Sequence, residues 1–406
     1  MRHFTEYPPL TLYIHFPWCV RKCPYCDFNS HAVKDEIPES QYVDSLIADL
    51  EQHAPDIWSR SVESIFIGGG TPSLISSEGI DRLMGQVRAL TKLEPRAEIT
   101  MEANPGTVEQ KRFNEYRDIG INRLSIGIQS FNDTHLKTLG RIHGAAEAIS
   151  ACETAVVAGF ENYNIDLMHG LPGQTADEAI ADVAQAVTLH PTHLSYYQLT
   201  LEPNTLFAAN PPQLPDEQTL AKIQDQGKAV IADAGFKQYE VSAYARDNKR
   251  CHHNLNYWLF GDYLGIGAGA HSKLSFPAHN SIIRHSKARH PADYIKTAST
   301  PGRIRGETQV SEADARLEFM MNALRLNEGF RVQEFEGRTG EPIVTIRRLL
   351  EQAQSDDLIE RDLEQIKTTE LGARHLDTLL HRFMPDTQED TGKSSLTDTV
   401  IPIVGR

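Results

Sequence analysis

The chain has 406 residues, with 40 lysines and arginines against 55 aspartates and glutamates, and a formal net charge of −15. This acidic balance argues against binding to the phosphate backbone of nucleic acids, whose protein partners usually present basic surfaces. No run of about 18 apolar residues occurs, so we expect no transmembrane helix. The N-terminus also lacks the apolar core of a signal peptide. We therefore expect a cytoplasmic protein with one large domain and a smaller one.

Three of the five cysteines lie together directly after a short apolar run at residues 10–16. Cys19, Cys23 and Cys26 form a Cys-x3-Cys-x2-Cys pattern. Three thiolates on one tight loop can hold three irons of a cubane iron–sulfur cluster and leave the fourth iron open to a small molecule. A closed zinc site with His15 or His31 as the fourth ligand is the alternative. Clustered thiols of either kind fit a reducing compartment.

The first 245 residues alternate strand-like apolar runs with amphipathic helical stretches. Six such βα units predict a parallel sheet with right-handed crossovers, either open or curled toward a barrel. The predicted strands cover residues 10–16, 64–67, 98–103, 123–128, 163–168 and 193–199. The predicted helices include residues 41–52, 79–90, 145–158 and 175–188.

Glycine and polar residues follow the carboxyl ends of these strands, which is the edge where parallel βα proteins bind ligands. The run at residues 68–70 is three glycines, so backbone groups there can approach a ligand closely. Glu102, Gln129, Arg141 and Asp166 can hold an ammonium, a carboxylate and ribose hydroxyls through charge-assisted hydrogen bonds. The alternative is structural: the glycines serve strand–helix packing, and the two acids cap helices or pair with Arg141.

A second region, residues 246–310, contains Cys251, His252 and His253, followed by Asn254, Tyr257, Trp258 and a glycine-rich stretch. A neutral imidazole is an axial ligand for heme iron, and aromatic faces can pack on a porphyrin. The alternative is a hydrogen-bonded histidine beside core aromatics. The remaining thiol, Cys152, is predicted to be buried in a helix.

Beyond residue 311 the pattern predicts helices at 313–326, 343–356 and 372–382 with a short β stretch between the last two, as in a winged-helix domain. Residues 385–406 are polar and core-poor, and we expect a flexible tail there. The predicted division is therefore a barrel with the cysteine loop (1–245), an extension (246–310), a C-terminal domain (311–384) and the tail.

The cysteine pattern and the Gly-Gly-Gly-Thr-Pro segment at residues 68–72 resemble the radical S-adenosylmethionine superfamily. The segments at residues 101–106, 125–131, 139–143 and 166–172 resemble the oxygen-independent coproporphyrinogen III oxidase group within it. The resemblance covers residues 10–382. It implies a partial (β/α)6 TIM-like barrel and a [4Fe-4S] cluster held by Cys19, Cys23 and Cys26.

The resemblance also implies the residues that contact S-adenosylmethionine. They are Tyr13, Tyr25, Gly70, Thr71, Glu102, Gln129, Arg141, Asp166 and Gln198. The implied chemistry belongs to the cofactor: one electron from the reduced cluster breaks the sulfonium carbon–sulfur bond, giving methionine and a 5′-deoxyadenosyl radical.

Two departures from the oxidases point to a sister subgroup of heme chaperones. Phe28 stands where the oxidases carry a fourth cysteine, and only 18 residues precede Cys19, where the oxidases have a longer segment. The His253-Asn254-x-x-Tyr257-Trp258 segment resembles that subgroup's heme motif. The resemblance thus implies a protein that binds heme, with His253 as the candidate ligand and Cys251 and His252 as rivals, and delivers it to apo-hemoproteins.

The alternative function is that of an oxygen-independent coproporphyrinogen III dehydrogenase, which converts two propionates to vinyl groups. A third is a radical enzyme acting on another tetrapyrrole. The sequence alone does not decide whether the chain is an enzyme, although the chaperone is the favoured reading. It also leaves open a homodimer and peripheral contact with a membrane through a client protein.

Overall fold

A 12-stranded sheet organises most of the molecule in the computed structural model, which describes residues 2–107 and 110–384. The predicted tail at 385–406 lies outside these residues. The strand order is β14-β13-β12-β11-β1-β4-β5-β6-β7-β8-β10-β9. The strands are β1 (Leu10–Phe16), β4 (Ser61–Gly69), β5 (Lys92–Ala103), β6 (Arg123–Gln129), β7 (Tyr163–His169), β8 (His193–Gln198), β9 (Lys237–Glu240), β10 (Ala243–Ala245), β11 (Asp262–Ile266), β12 (His271–Phe276), β13 (Ser281–Lys287) and β14 (Ile304–Gln309). A separate two-stranded pair is β2 (Trp18–Cys19) with β3 (His31–Ala32).

Seven neighbouring strands of the sheet, from β11 through β1 to β8, run parallel, and the strands at both ends are antiparallel. Every residue of β1 is buried, as expected for a parallel strand covered on both faces. The helices up to the end of this sheet are α1 (Glu39–Ile57), α2 (Ser77–Leu90), α3 (Gln110–Ile119), α4 (Asp133–Thr138), α5 (Ala145–Val157), α6 (Ala176–Thr188), α7 (Leu206–Ala209), α8 (Glu217–Asp233), α9 (His252–Trp258) and α10 (Pro291–Thr297).

Local sequence explains where several helices begin. Thr175 caps α6: its hydroxyl accepts from the Glu178 amide, and the Glu178 carboxylate accepts from the Thr175 amide. Ser76 caps α2 in the same manner through the Gly79 amide. All six predicted strands and the four predicted helices of the first 245 residues form, with ends displaced by a few residues. The predicted α/β partial barrel is confirmed.

A second hydrophobic core lies in the C-terminal part of the chain. Its helices are α11 (Glu312–Ala323), α12 (Val332–Thr339), α13 (Arg347–Ser355), α14 (Glu370–Arg374) and α15 (Leu376–His381). A small sheet accompanies them, with strands β15 (Phe330–Arg331), β16 (Ile359–Arg361) and β17 (Gln365–Thr368) in the order β15-β17-β16. Phe319 packs edge-on against Phe330 and Phe335, with ring centroids 4.9 and 5.1 Å apart. Helices with a small hairpin are the predicted winged-helix-like arrangement.

Two features of the fold differ from expectation. Residues 262–309, predicted only as part of an extension and without assigned strands, extend the main sheet, and β11 lies parallel beside β1. Gly265 permits this because a Cβ there would lie 2.0 Å from the His271 carbonyl oxygen. The predicted helix at 372–382 divides at His375 into two short helices. Within the described residues, no helix combines the length and the apolar character that crossing a bilayer needs.

Candidate functional site

A cavity of about 480 Å³ lies inside the parallel part of the sheet, where the carboxyl ends of the strands meet the cysteine loop. It brings together eleven of the thirteen side chains and backbone positions predicted to bind cofactors. They are Cys19, Cys23, Tyr25, Cys26, Gly70, Thr71, Glu102, Gln129, Arg141, Asp166 and Gln198. The structure therefore places residues from seven loops and strands around one space.

Tyr13 and His253 are the two predicted residues that do not line the cavity. Both are buried, at 7% and 3% exposure, and both pack on Phe66, which does line it. The Tyr13 hydroxyl lies 2.9 Å from His15 Nδ1, and His15 Nε2 lies 2.9 Å from the Asn29 carbonyl oxygen. Tyr13 thus contacts the cysteine loop through His15 and does not face the cavity.

The cysteine loop is closed at its base and fastened at its far end. Trp18 and Cys19 pair with His31 and Ala32, so residues 20–30 form a loop between β2 and β3. The Asn29 amide group donates to the carbonyl oxygens of Ala268 (2.9 Å) and Arg289 (2.8 Å). All three cluster-type thiols are only partly buried, whereas Cys152 and Cys251 are fully buried. The three thiols of the loop therefore line the cavity, whereas Cys152 and Cys251 do not.

The three thiols are the donor type that holds an iron–sulfur cluster. Within residues 2–107 and 110–384, no three histidine, cysteine, aspartate or glutamate side chains converge on one metal position, the loop thiols included. Burial raises the pKa of Cys19, and it raises the pKa of Cys26 to about 11. Bound iron reverses this preference because a coordinated thiol is deprotonated by the charge of the metal. Arg141 Nη1 lies 3.8 Å from Cys23 Sγ, which adds positive charge beside the donor set.

Glu102 is a carboxylate held next to the glycine run. Its Oε2 accepts from the Gly69 amide at 2.9 Å. Burial, and then the neighbouring Asp166, raise the pKa of Glu102 to about 8, although the Gly69 hydrogen bond opposes them. Neither a helix cap nor a pair with Arg141 occupies Glu102. The carboxylate is therefore free to receive a cation, and binding one would remove the penalty that raises its pKa.

Asp166 lies deeper in the cavity, on β7. Its two oxygens accept from Ser125 (3.0 Å) and Asn164 (2.7 Å), and burial raises its pKa. Arg141 does not pair with it either: Arg141 Nη2 donates to the Gly127 carbonyl oxygen at 2.5 Å. Neither Glu102 nor Asp166 therefore caps a helix or pairs with Arg141, as the structural alternative required.

Gln129 ends β6 in a left-handed backbone conformation, with a φ of 74°. A non-glycine residue in this region costs on the order of 1–3 kcal/mol, and such strain concentrates at ligand sites. The side chain is directed into the cavity, where its Oε1 accepts from the Tyr197 hydroxyl at 2.7 Å. The strained backbone thus directs the Gln129 carboxamide into the cavity that Glu102 and Arg141 also line.

Gly70 is required by packing as well as by the cavity. A Cβ at this position would lie 2.4 Å from the Trp18 carbonyl oxygen. The amides of Gly70 and Thr71 donate to the carbonyl oxygens of Phe16 and Trp18, at 2.7 and 2.8 Å. The glycine therefore docks the β4 turn on the strand that leads into the cysteine loop.

Helix α9 carries the His-Asn-x-x-Tyr-Trp segment, and three of the four motif side chains have a buried polar atom without a hydrogen-bond partner among the described residues. These atoms are His253 Nδ1, Asn254 Oδ1 and Trp258 Nε1, whereas the Tyr257 hydroxyl has Tyr263 as a hydrogen-bonding neighbour. Buried polar side-chain atoms are in the large majority paired, so three orphans on seven residues are unusual. Burial, and then Arg123, lower the pKa of His253 to about 3, so its imidazole is neutral.

Sequence reasoning missed most of the inner end of the cavity. Asn254 of the motif segment lines it, together with residues that were not predicted: Arg123, Asn164, His193, Ser195 and Met321. One signal was available for part of it. Arg123, Ser125, Gly127 and Gln129 alternate along a strand, so they share the face on which Gln129 was already singled out.

Comparison with known proteins agrees with this geometry. The radical SAM superfamily model matches residues 13–186, and the HemN C-terminal domain model matches residues 310–375. Heme chaperone HemW of Haemophilus influenzae is 49% identical over 93% of this chain and 99% of its own length. Heme chaperone HemW of Escherichia coli K12 is 49% identical with the same coverage.

The chain belongs to the HemW family. A mouse protein, mitochondrial radical S-adenosyl methionine domain-containing protein 1, is 32% identical over 93% of this HemW chain and 88% of its own length. The crystallised coproporphyrinogen III oxidase HemN of E. coli shares the fold, with a TM-score of 0.78 and 24% identity over 93% of this chain and 90% of that one. The resemblance to the heme-chaperone subgroup is therefore confirmed over nearly the whole sequence.

Proposed function

We propose that this HemW-family chain binds heme and delivers it to apo-hemoproteins, and that it also holds a [4Fe-4S] cluster and S-adenosylmethionine. The observation that carries the proposal is the set of three polar atoms on α9 that have no partner among the described residues, beside a cavity that the three loop thiols line. An orphaned buried polar group costs about 1–3 kcal/mol, so a helix with three of them is poised for a further partner.

Cys19, Cys23 and Cys26 are the proposed ligands of the cluster. When bound, the cluster and the sulfonium nucleotide together supply one-electron chemistry. The chain contributes the enclosure: the Asn29 hydrogen bonds fix the loop, and Phe28 and Phe66 line the cavity with apolar surface.

The proposed contacts of the nucleotide are the cavity-lining residues predicted from sequence. Glu102 would receive its ammonium group, Asp166 and Gln129 its hydroxyls, and Arg141 its carboxylate. Tyr25, Gly70, Thr71 and Gln198 complete this set. For Tyr13 we propose a supporting role, because its hydroxyl contacts His15 and not the cavity.

His253 remains the proposed heme ligand. It is neutral, as an iron ligand must be, and its Nδ1 has no partner in the described chain. Tyr13 and Phe66 pack against its ring, with centroids 6.2 and 5.1 Å away, so ligation requires these side chains to uncover it. Cys251, which is buried, and His252, which is exposed, are the rivals.

We further propose a cytoplasmic location, since the thiols are free and the family's chemistry needs a reducing compartment. We also propose a homodimer, and peripheral contact with a membrane through a client protein.

One assay tests the function against its rival. The chain, reconstituted anaerobically with iron and sulfide, receives S-adenosylmethionine, a reductant and coproporphyrinogen III, while a parallel sample is titrated with hemin. We expect a Soret band that saturates with hemin and no protoporphyrinogen. Protoporphyrinogen formed without stable heme binding would overturn the proposal. As a control, Phe28→Cys alone should leave both results unchanged.

A further inference from the structure

The cavity extends well beyond the residues proposed for the nucleotide. Arg123 and Gln129 stand at opposite ends of β6, roughly 20 Å apart for six residues of strand, and both line the cavity. Gln129 belongs to the end that faces the thiols. Arg123 belongs to the inner end, next to Asn254 of α9 and Met321 of α11. Met321 is 39% exposed, which places this end near the surface beside the C-terminal core.

Arg123 is a buried cation with an unpaired donor. Its side chain is 2% exposed, and within residues 2–107 and 110–384 its Nε has no hydrogen-bond partner. Its nearest carboxylate oxygen, Glu98 Oε2, lies 3.9 Å from Nε. The other Glu98 oxygen already accepts from the His252 amide at 2.8 Å. A guanidinium has five N–H donors, and leaving them unpaired in a buried place is costly.

The polar neighbours of Arg123, in contrast, are saturated by one another. His193 Nδ1 contacts Asn164 Oδ1 at 2.7 Å, and its Nε2 contacts the Tyr239 hydroxyl at 2.8 Å. The Asn164 amide group donates to Ser125 and Asp166, at 2.8 and 2.7 Å. These groups hold each other in place and leave Arg123 to face the cavity.

Asn254 is the second group without a partner at this end. Its Oδ1 is buried and unpaired in the described chain, and the residue lines the cavity. A carboxamide can turn its amide hydrogens toward an acceptor. With the amide turned in this way, Arg123 and Asn254 are two donors that line one cavity, a set that matches a carboxylate.

We propose that Arg123 and Asn254 form a carboxylate-binding subsite at the inner end of the cavity, and that its ligand is a propionate of heme. The inference rests on the proposed heme binding and adds to it a residue outside the heme motif. It also ties the motif helix to the barrel, since one half of the subsite comes from β6 and the other from α9.

The test compares hemin with hemin dimethyl ester, in which both propionates are masked, on the full-length reconstituted chain. We expect hemin to bind about 10- to 100-fold more tightly than the ester, the range for a charge-assisted bond. In Arg123→Gln the two ligands should bind equally, with the affinity for the ester unchanged. Arg246→Gln, an arginine outside the cavity that donates to the Ala234 carbonyl oxygen, should behave as the parent chain does.

The possible outcomes are distinct. Hemin binding without preference over the ester in the parent chain would overturn the subsite and leave the heme function standing. Binding of neither ligand would overturn both. A carboxylate is also present in S-adenosylmethionine, so its affinity is measured in the same variants. A tenfold loss of that affinity in Arg123→Gln, with the preference for hemin over ester retained, would assign Arg123 to the nucleotide instead and overturn the proposal. If Arg123→Gln shows no cooperative unfolding, Arg123→Lys replaces it and should keep part of the preference.

Discussion

The cysteine loop and helix α9 carry the two ligand motifs of the molecule, and the structure treats them in opposite ways. The loop leaves its three thiols partly exposed on the cavity and is anchored by two hydrogen bonds from the Asn29 side-chain amide. Helix α9 buries His253 against Phe66, and three polar atoms of its motif have no hydrogen-bond partner among the described residues. One motif is ready to receive its ligand, whereas the other must rearrange before it can do so.

Replacing the loop thiols should have the largest effect. We expect Cys19→Ala, Cys23→Ala or Cys26→Ala to lose most of the bound iron and sulfide, because each removes one of only three protein ligands. Cys152→Ala is the matched control: its thiol is buried in α5, so iron content should stay the same while stability changes by about 1 kcal/mol. Iron and sulfide analysis of anaerobically reconstituted samples checks both. Full iron content in any loop variant would contradict the cluster assignment.

Two adjacent histidines on α9 test the buried motif. Removing the ring of His253, which is 3% exposed, should lower the free energy of unfolding by about 2–4 kcal/mol in His253→Ala and weaken heme binding. His252→Ala lies on the exposed face, so stability should change by no more than about 0.5 kcal/mol. Denaturant unfolding and hemin titration separate the two effects. An unchanged titration in His253→Ala would remove it from the ligand list, and a weakened one in His252→Ala would promote its rival.

A smaller, graded effect should come from pH, through the ionisation of Glu102 in the cavity. Because the pKa of Glu102 is raised to about 8, the carboxyl is neutral below that value and ionised above it. An ammonium group prefers the ionised form, so affinity for S-adenosylmethionine should rise by up to about tenfold per pH unit as pH approaches 8 and then level off. Glu102→Gln should flatten this dependence. Calorimetric titration at several pH values measures it, and an equally steep profile in the variant would exclude Glu102 as the source.

Much of the fold could be predicted because short-range patterns decide it. The buried run at 10–16 and the polar residues that follow each strand gave both the parallel sheet and the edge where the cavity lies. Strand β11 was missed because Gly265 weakens a strand pattern, and only the contact with β1 makes residues 262–266 a strand.

The site residues differ in the same way: local sequence revealed some of them, and others depend on contacts between distant parts of the chain. Residues in loops after strands were found because their chemistry shows in sequence, whereas Arg123 begins a strand and reads as an ordinary boundary residue. The burial of His253 was also out of reach, since Phe66 and Tyr13 are 187 and 240 residues away along the chain. Contacts of that span depend on the finished packing and leave no local signal.

The fastening of the cysteine loop has a consequence for biosynthesis. Asn29 is held by carbonyl groups 239 and 260 residues later in the chain. Residue 289 must therefore leave the ribosome before the loop can take its final shape. The three thiols are synthesised earlier, but they reach their final arrangement only after that point. We accordingly expect cluster insertion to be complete only once the chain extends past residue 289.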